Sequence, residues 1–550
     1  MSPPSNPVHL TRRIGDYLNR HEFLAIATLF LIVNFITMPK VAYRGDPMAI
    51  RCAAAHLIQK HSFGIGLDKA SAIQFFLDDR GAFFFFNEKN QQYFSKWGMV
   101  TTLLFTPPLV VDQIFFGINQ TYVPSKDGKN LNIYNKQLVF LMNLYNLGLG
   151  LVIIWYLLKL SHLFIQSVPV ACIFTLCSLY ATFLWYYLRG QSLEIFQVLF
   201  FLGLTYHLII FMRNRRTGGA QWHQLLAATL FAGMLVLAKP LFALLFPVLW
   251  IFGVATCKPK KRWLLSTLDA VKADWKHYAL WLGLPTLMIA LIGAALNQHQ
   301  FGSPFESGYG QMNIGFQVPP IRYSISFLPK AIYGFLFHQR YSMFWHYPLL
   351  LFALFGYPAF LKKYPLEIGF VVSAFLAVFI LVSCMSIWTS DWTYGPRYLL
   401  FALPALSLPF LETLNFLIQR FKSAVGLTCS AIIAVMLLYS VRLQVNVNSI
   451  PFLSSYELAG VFAPIHLQYI DDYFLNTNVG VVAGDFLAFK YHGKPFHPIE
   501  AARPNLSAQQ LEAIPAVESL LKGSPLFESN YFFFQDPPAP ATGGEMTPSR

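Results

Sequence analysis

The sequence is poor in charge. Asp, Glu, Lys and Arg make up only 12% of its 550 residues, whereas a soluble domain carries about 25%. Hydrophobic residues make up 55%, and repeated apolar runs approach the roughly 20 residues with which a helix crosses a bilayer. The shortage of charge excludes an ordinary soluble enzyme and predicts an all-α polytopic membrane protein.

Acidic residues are scarcer than basic ones, at 26 against 40, which gives a formal net charge of +14. A basic surplus can indicate nucleic-acid binding. Here, however, the Lys and Arg residues gather in short loops between apolar runs, which is the pattern of cytoplasmic loops in membrane proteins. The charge therefore indicates topology, and no nucleic-acid partner is predicted.

Cysteine is also scarce, and four of the six cysteines fall inside hydrophobic runs. No pair has the spacing of a metal site, and no disulfide framework is visible. No small-residue cleavage site follows Met38 at the end of the first apolar run, so this run is expected to stay as an anchor.

The basic clusters predict the topology. Residues 1–22 are expected in the cytoplasm, and four later clusters fall on the same side if the chain crosses about eleven times. The predicted spans are 23–39, 136–158, 168–188, 195–212, 221–238, 241–256, 277–296, 346–361, 366–388, 398–418 and 424–443. The apolar stretch 99–118 contains Pro107-Pro108, which kinks a helix, and we interpret it as re-entrant or interfacial.

This topology gives a multi-span domain over 23–443 with large loops on the outer side. The outer regions are the first loop 40–134, the loop 297–345, a small C-terminal segment 444–535, and a Pro/Gly-rich tail 536–550 that is expected to be disordered. Within the first loop, residues 47–60 predict a short helix and residues 81–97 a β-hairpin.

Asp46 is the first candidate for chemistry, because it lies just past the first span with Arg44 and Arg51 nearby. A second acid, Glu194, is predicted on the same side of the membrane. Each has a structural alternative: Asp46 could cap the following helix, and Glu194 could form an interfacial ion pair with Arg189. A charged residue at the membrane midplane would indicate a function more strongly, because placing a charge at the interface costs less free energy.

Two basic residues on the outer side are candidates for binding an anion. Lys239 lies in a predicted two-residue outer turn and breaks the inside-positive pattern, although it could be an anchor that reaches the interface. Arg397 follows a Gly-Pro turn, and its planar guanidinium could bind two phosphate oxygens. The structural alternative is that Arg397 pairs with Asp391 and holds the turn.

The order of these motifs resembles that of the C-type membrane glycosyltransferases (GT-C), which include the dolichyl-phosphate-mannose protein mannosyltransferases and the bacterial aminoarabinose transferase. Asp46 matches the superfamily's catalytic aspartate, and Glu194 its second acidic position. The sequence YFSKWG at 93–98 is similar to its "YSKxG" element. Segments 297–309 and 394–404 resemble segments common in bacterial members, so that the resemblance covers roughly 20–445.

The resemblance implies a sugar on polyprenyl phosphate as donor, a glycan, lipid or protein acceptor, and inverting transfer at the outer face of the cell inner (plasma) membrane. A carboxylate can take the proton of an acceptor hydroxyl, and Arg or Lys can stabilise the leaving phosphate. The candidate residues are Asp46 and Glu194 for catalysis; Lys96, Lys239, Arg340 and Arg397 for the phosphate; and Tyr93, Glu306, Tyr309, Trp388 and Tyr394 for the substrate.

No cofactor follows from the sequence, although a divalent cation is compatible with the chemistry; membrane lipid is the expected surrounding. The competing function is a transporter or flippase of a lipid-linked or anionic substrate. Such a protein keeps ionisable residues at the membrane midplane and often shows inverted repeats. Here the charges lie in predicted outer loops and no repeat is visible, which favours the enzyme.

Overall fold

The computed structural model describes residues 7–39, 46–66, 84–117, 136–189, 192–254, 263–308, 322–338, 341–388 and 395–449. Within these ranges the side chains of 7–20, 46–49, 136, 263–270, 443, 446–447 and 449 are not described. The predicted C-terminal segment and tail lie outside them, apart from the end of the last helix.

Helices dominate these ranges. They are α1 Pro7–Ile36, α2 Asp46–Lys60, α3 Gly98–Leu104, α4 Thr106–Phe116, α5 Lys136–Phe164, α6 Val168–Tyr180, α7 Leu184–Arg189, α8 Leu193–Arg216, α9 Trp222–Ala238, α10 Leu245–Val254, α11 Trp263–Tyr278, α12 Leu284–Phe301, α13 Leu328–Phe337, α14 Met343–His346, α15 Leu349–Lys363, α16 Pro365–Ser383, α17 Leu403–Leu406, α18 Phe410–Gln419 and α19 Ala424–Ser449. Short 3₁₀ turns cover Pro240–Leu244, Ile325–Phe327 and Arg397–Leu399, and a π-helical turn covers Ala279–Gly283.

Within the described residues, five helices are long and apolar enough to cross a membrane, as expected of a helical membrane protein. They are Gln137–Phe164, Leu193–Arg216, Val271–Phe301, Pro365–Ser383 and Ala424–Arg442. The structure does not support the predicted count of eleven. Several predicted spans are shorter apolar helices, such as Val168–Tyr180 and Trp222–Ala238, and predicted span 398–418 is broken into a 3₁₀ turn, α17 and α18.

The apolar stretch 99–118 forms a bent pair, with 48° between α3 and α4, and it would be a sixth span if the pair crosses as one. The break falls at Phe105, and Pro107 and Pro108 follow it in the first turn of α4. Both helices pack against α2, the predicted helix after Asp46. Whether this pair crosses or re-enters stays a prediction.

Helix α8 is the most enclosed of the five candidate spans. In its most apolar window 83% of the residues are buried, against 11% in Val271–Phe301 and in Ala424–Arg442. It packs against α5 and α9. At Gly203 a Cβ would come within 2.7 Å of the Phe231 ring on α9, so glycine permits this approach. Glu194, in the first turn of α8, is therefore held by a rigid element.

The basic residues at the C-terminal end of α8, which contributed to the topology prediction, form ion pairs with neighbouring helices. Glu367, in the first turn of α16, is 1% exposed and accepts hydrogen bonds from Arg213 Nε at 3.3 Å and Arg216 Nη1 at 3.1 Å. Arg215 pairs with Asp274 of α11. A buried carboxylate needs such partners, and they join α8 to α11 and α16.

The predicted hairpin in the first loop is confirmed. Strands β1 Phe84–Asn87 and β2 Gln92–Ser95 pair antiparallel, with Phe84 opposite Ser95, so the fold is not purely helical. Asn87 Nδ2 donates to the carbonyls of His299 and Gln300, at 3.2 and 2.8 Å. The hairpin thereby caps the carbonyl end of α12, which brings the first loop against the loop after α12.

Candidate active site

Glu194 and Arg397 meet at the centre of the candidate site. Glu194 stands in the first turn of α8, where the helix dipole favours a carboxylate. Its Oε1 lies 3.8 Å from Arg397 Nη1, and both side chains are largely buried, at 8% and 15% exposed. The described acid beside Arg397 is thus Glu194, while Asp391, the partner considered above, lies outside the described residues.

The turn before Arg397 depends on glycine. Gly395 has φ of +66°, and a Cβ there would come within 3.0 Å of the Phe183 ring and 3.3 Å of His346. Any other residue would be strained both by the left-handed backbone and by these contacts. The turn therefore directs Arg397 toward α8.

Tyr398 connects Arg397 to the second predicted anion-binding residue, Lys239. Lys239 Nζ lies 4.1 Å from the centroid of the Tyr398 ring, and Arg397 Cζ lies 5.3 Å from it. Lys239 follows α9 in extended backbone and is only 6% exposed, and Tyr398 is 5% exposed. The aromatic ring thus lies within cation–π distance of both cations.

The charges of this cluster, Glu194, Lys239, Arg397 and Tyr398, have a chemical consequence. Arg397 pairs with the Glu194 carboxylate and shares the Tyr398 ring with Lys239 in a largely buried environment. Charge interactions are stronger here than in water because the local dielectric is lower. Basic side chains of this kind are suited to charge-assisted hydrogen bonds with a phosphate group.

Helix α3, which begins two residues after Lys96, contacts the segment that carries Lys239. Thr101 Oγ1, on α3, donates to the carbonyl of Ala238, the residue before Lys239, at 3.1 Å. Lys96 lies just before α3 with its Nζ 4.3 Å from the Trp97 ring. These contacts put two of the four predicted phosphate-binding residues, Lys96 and Lys239, on adjoining segments.

The loop after α12 packs against Lys96. At Gly308 a Cβ would come within 2.5 Å of Lys96 Cα, so only glycine fits this contact. Glu306, two residues earlier, is partly exposed. Asn297 Nδ2 donates to the Pro304 carbonyl at 3.3 Å and holds the loop in shape. The loop therefore brings Glu306 to the side of the protein that carries Lys96.

Tyr93 and Trp388 are buried packing residues. Tyr93 is 1% exposed, pairs through its backbone with Ile65, and its ring lies 4.8 Å from that of Phe86. Trp388 is 6% exposed and contacts the rings of Phe335 and Tyr341 at 5.3 and 5.4 Å. In this conformation neither ring presents a free face for a sugar.

Four of the predicted site residues cannot be placed in the cluster. Tyr309, Arg340 and Tyr394 lie outside the described residues. Asp46 is the first residue of α2, as expected for the residue that starts this helix, but its side chain is not described.

Arg189 serves a different purpose from the suggested pair with Glu194. Its Nε donates to the Thr37 carbonyl at 2.7 Å, its Nη2 bonds the same carbonyl, and its Nη1 donates to the Asn448 carbonyl at 2.8 Å. Thr37 follows α1, and Asn448 is the penultimate residue of α19. Arg189, 3% exposed and the last residue of α7, therefore ties the ends of these two helices to α7.

The sequence reasoning missed Tyr398 and Asp112. Tyr398 adjoins the predicted Arg397, and an aromatic residue beside a buried Arg was the available signal. Asp112 is the one acid within the apolar stretch 99–118. It is 1% exposed, and neither carboxylate oxygen has a hydrogen-bond partner among the described residues. An acid in such an apolar segment suggests a functional role.

Among the side chains that the structure describes, no group of three or more His, Cys, Asp or Glu residues could hold a metal ion.

Comparison with known proteins gives two structural likenesses. No protein-family model matches the chain, and no curated protein does. The archaeal oligosaccharyltransferase AglB from Archaeoglobus fulgidus, in complex with an inhibitory peptide and a dolichol-phosphate, has a TM-score of 0.43 at 11% identity over 77% of this chain. The Archaeoglobus fulgidus oligosaccharyltransferase tethered with an acceptor peptide has a TM-score of 0.38 at 11% identity over 78% of this chain.

The chain spans about half the length of these two proteins, since the matches cover 55% of each. At this identity and with these scores, the function of the chain has to be argued from its own residues.

Proposed function

We propose that this chain is a GT-C-type membrane glycosyltransferase of the plasma membrane. It would move a sugar from a polyprenyl-phosphate-linked donor to a glycan, lipid or protein acceptor on the outer face. The observation that supports the proposal most is the convergence of Lys239 and Arg397 on Tyr398, next to Glu194. The sequence motifs that led to these residues are far apart in the chain, but they meet in one cluster.

The proposed role of the cluster is to hold the donor phosphate. The phosphate is the leaving group, and its negative charge grows as the bond to the anomeric carbon breaks. Cations that are already in place stabilise this charge without reorganisation. Arg397 and Lys239 would bind the phosphate oxygens, and Lys96 and Arg340 would complete the positive surface. Glu194 would orient Arg397 and would balance part of the positive charge of the site.

Asp46 is the proposed base. It would take the proton from the acceptor hydroxyl as the oxygen attacks the anomeric carbon from the face opposite the phosphate, which inverts the configuration. No general acid is required, because a phosphate is already a good leaving group. Glu306, Tyr309 and Tyr394 are the proposed sugar or acceptor contacts, and Tyr93 and Trp388 would support these contacts from behind. A divalent cation could assist at the phosphate.

The test is transfer by the purified protein in vesicles. Radiolabelled polyprenyl-phosphate sugars are supplied together with a membrane extract as the source of acceptors, and labelled product is measured. We expect product with the wild type and a loss of product with Arg397→Ala. A protein that binds polyprenyl phosphate with wild-type affinity after Arg397→Ala would contradict the assignment of the phosphate site.

The second candidate is transport or flipping of a lipid-linked or anionic substrate. The specific observation that favours it is the buried Asp112 in the bent pair α3–α4, because transporters use discontinuous helices and intramembrane acids at their binding sites. The two functions differ in product: a flippase moves a labelled lipid across the vesicle membrane and leaves the sugar–phosphate bond intact.

A further inference from the structure

Helix α13 packs one face against the end of span α16. Ala331 and Phe335 are buried, and the Phe335 ring lies 5.6 Å from Phe379 and 5.3 Å from Trp388. At Gly334 a Cβ would come within 2.2 Å of the Trp388 ring, so this close approach requires glycine. Helix α13 is therefore held closely against this end of α16.

The contact places α13 at the level of a membrane surface. Helix α16 has 19 residues, about 28 Å at 1.5 Å per residue, which is close to the roughly 30 Å of a bilayer core. The segment before α13 is attached to the very end of this span, since Ser324 N donates to the Cys384 carbonyl at 2.8 Å and Ser386 N to the Arg322 carbonyl at 2.8 Å.

The other face of α13 is apolar and exposed. Tyr333 is 62% and Phe337 63% exposed, and Ile325 in the preceding 3₁₀ turn is 78% exposed. We call these three residues, two aromatic and one aliphatic, the aromatic face. The helix has only ten residues, so it is too short to span. Tyr and other amphipathic rings at this depth are typical of the interface between lipid headgroups and acyl chains.

Helix α16 also exposes apolar side chains near its contact with α13. Leu376 and Ile380 of α16 are 44% and 52% exposed within a candidate span. Ile380 directly follows Phe379, the residue that contacts α13. Two exposed basic residues, Arg322 and Lys330, accompany the aromatic face, and such side chains reach headgroup phosphates while their stems stay in apolar surroundings.

We propose that the aromatic face lies in the headgroup region of the bilayer, so that the part of loop 297–345 that forms α13 is a membrane-surface element rather than a loop in water. The partner is membrane lipid, held by apolar burial of Ile325, Tyr333 and Phe337 and by attraction of Arg322 and Lys330 to phosphate. This contact is independent of any transfer activity.

Photo-crosslinking of the full chain in vesicles of phosphatidylcholine and phosphatidylglycerol tests this placement. The photoreactive residue p-benzoylphenylalanine replaces Tyr333 or Phe337 in separate variants, and the adducts are identified by mass. Ile380 on α16 provides the reference for lipid contact. Lys89, exposed in the turn of the β1–β2 hairpin, provides the reference for water.

We expect lipid adducts at positions 333 and 337 at a yield near that at 380 and several-fold above that at 89. A yield at 333 and 337 no higher than at 89, with clear labelling at 380, would overturn the proposal. Adducts to a second copy of the chain would also overturn it, because the aromatic face would then be an interface between protein molecules. Circular dichroism and size-exclusion profiles establish that each variant is folded before irradiation.

Discussion

Arg397 Nη1 and Glu194 Oε1 lie 3.8 Å apart although 202 residues separate them in the chain (397 minus 194, less one). At this distance the pair is an ionic contact rather than a tight hydrogen bond. The Glu194 carboxylate thus sets the direction of the Arg397 guanidinium without a tight hydrogen bond. We propose that this guanidinium binds the donor phosphate.

Arg397→Lys should weaken binding of polyprenyl phosphate by about ten- to a hundredfold, because one charge-assisted hydrogen bond contributes about 1.5–3 kcal/mol and the fork geometry is lost. Titration of the lipid phosphate onto purified protein measures the affinity. Arg420→Lys is the matched control: Arg420 is exposed after α18, and this variant should leave phosphate binding unchanged. Unchanged affinity with a lowered melting temperature in Arg397→Ala would assign Arg397 a structural role.

Tyr398→Leu should reduce phosphate affinity several-fold, since the ring face that holds Lys239 and Arg397 is lost and each cation–π contact contributes about 0.5–2 kcal/mol. Tyr398→Phe keeps the ring and should stay close to wild type. The same titration compares the two variants. Equal losses in both would mean that the hydroxyl, and not the ring, is the important group.

Asp46→Asn should leave expression and folding intact and lower turnover by roughly 100-fold or more, the usual contribution of general base catalysis. Initial rates with a labelled donor provide the measurement, and Glu88→Gln in the exposed hairpin turn is the control for a carboxylate without a role. Near wild-type turnover in Asp46→Asn would move the role of base to another acid, with Glu194 the next to test.

Arg189→Gln should lower thermal stability in detergent, because the guanidinium bonds the carbonyls of Thr37 and Asn448 and each such bond contributes about 1.5–3 kcal/mol. Arg442→Gln is the control, since Arg442 is an exposed residue of the same last helix. Equal melting temperatures for the two variants would show that the ends of α1 and α19 are held by other contacts.

Asp112→Leu should raise thermal stability. Its carboxylate is buried without a hydrogen-bond partner in the part of the chain that the structure describes, and a buried polar group in this state costs about 1–3 kcal/mol. Leu has a similar size and a better helix propensity. A lower melting temperature would reveal a partner for Asp112, and a loss of lipid movement across vesicles without loss of stability would favour the transport hypothesis.

Local features of the chain were predictable because they depend on near neighbours. The apolar runs indicated a helical membrane protein, the four Phe residues and polar turn at 83–90 indicated the hairpin, and Asp46-Pro47 indicated a helix start. The number of spans was not predictable in the same way. A buried helix such as Val168–Tyr180 can be apolar and still fall short of a span, and the run 398–418 breaks twice.

The site depended on contacts that no local pattern contains. Gly395 turns the chain so that Arg397 meets Glu194, and the packing of α8 against its neighbours sets the position of Glu194. A pair between Arg397 and Asp391 stays a prediction, since Asp391 lies outside the described residues. The role of Arg189 could not be predicted from the sequence either. Its acceptors are backbone carbonyls at the ends of α1 and α19, and every residue type has such carbonyls.

The sequence by itself determined the membrane character, the hairpin and the helix after Asp46, because hydrophobic run length and turn chemistry act over a few residues. Only the tertiary structure decided that Lys239 and Arg397 share the ring of Tyr398, that Asp112 is buried, and that α13 exposes an aromatic face. Those outcomes follow from how helices pack, and close packing joins side chains that lie hundreds of residues apart.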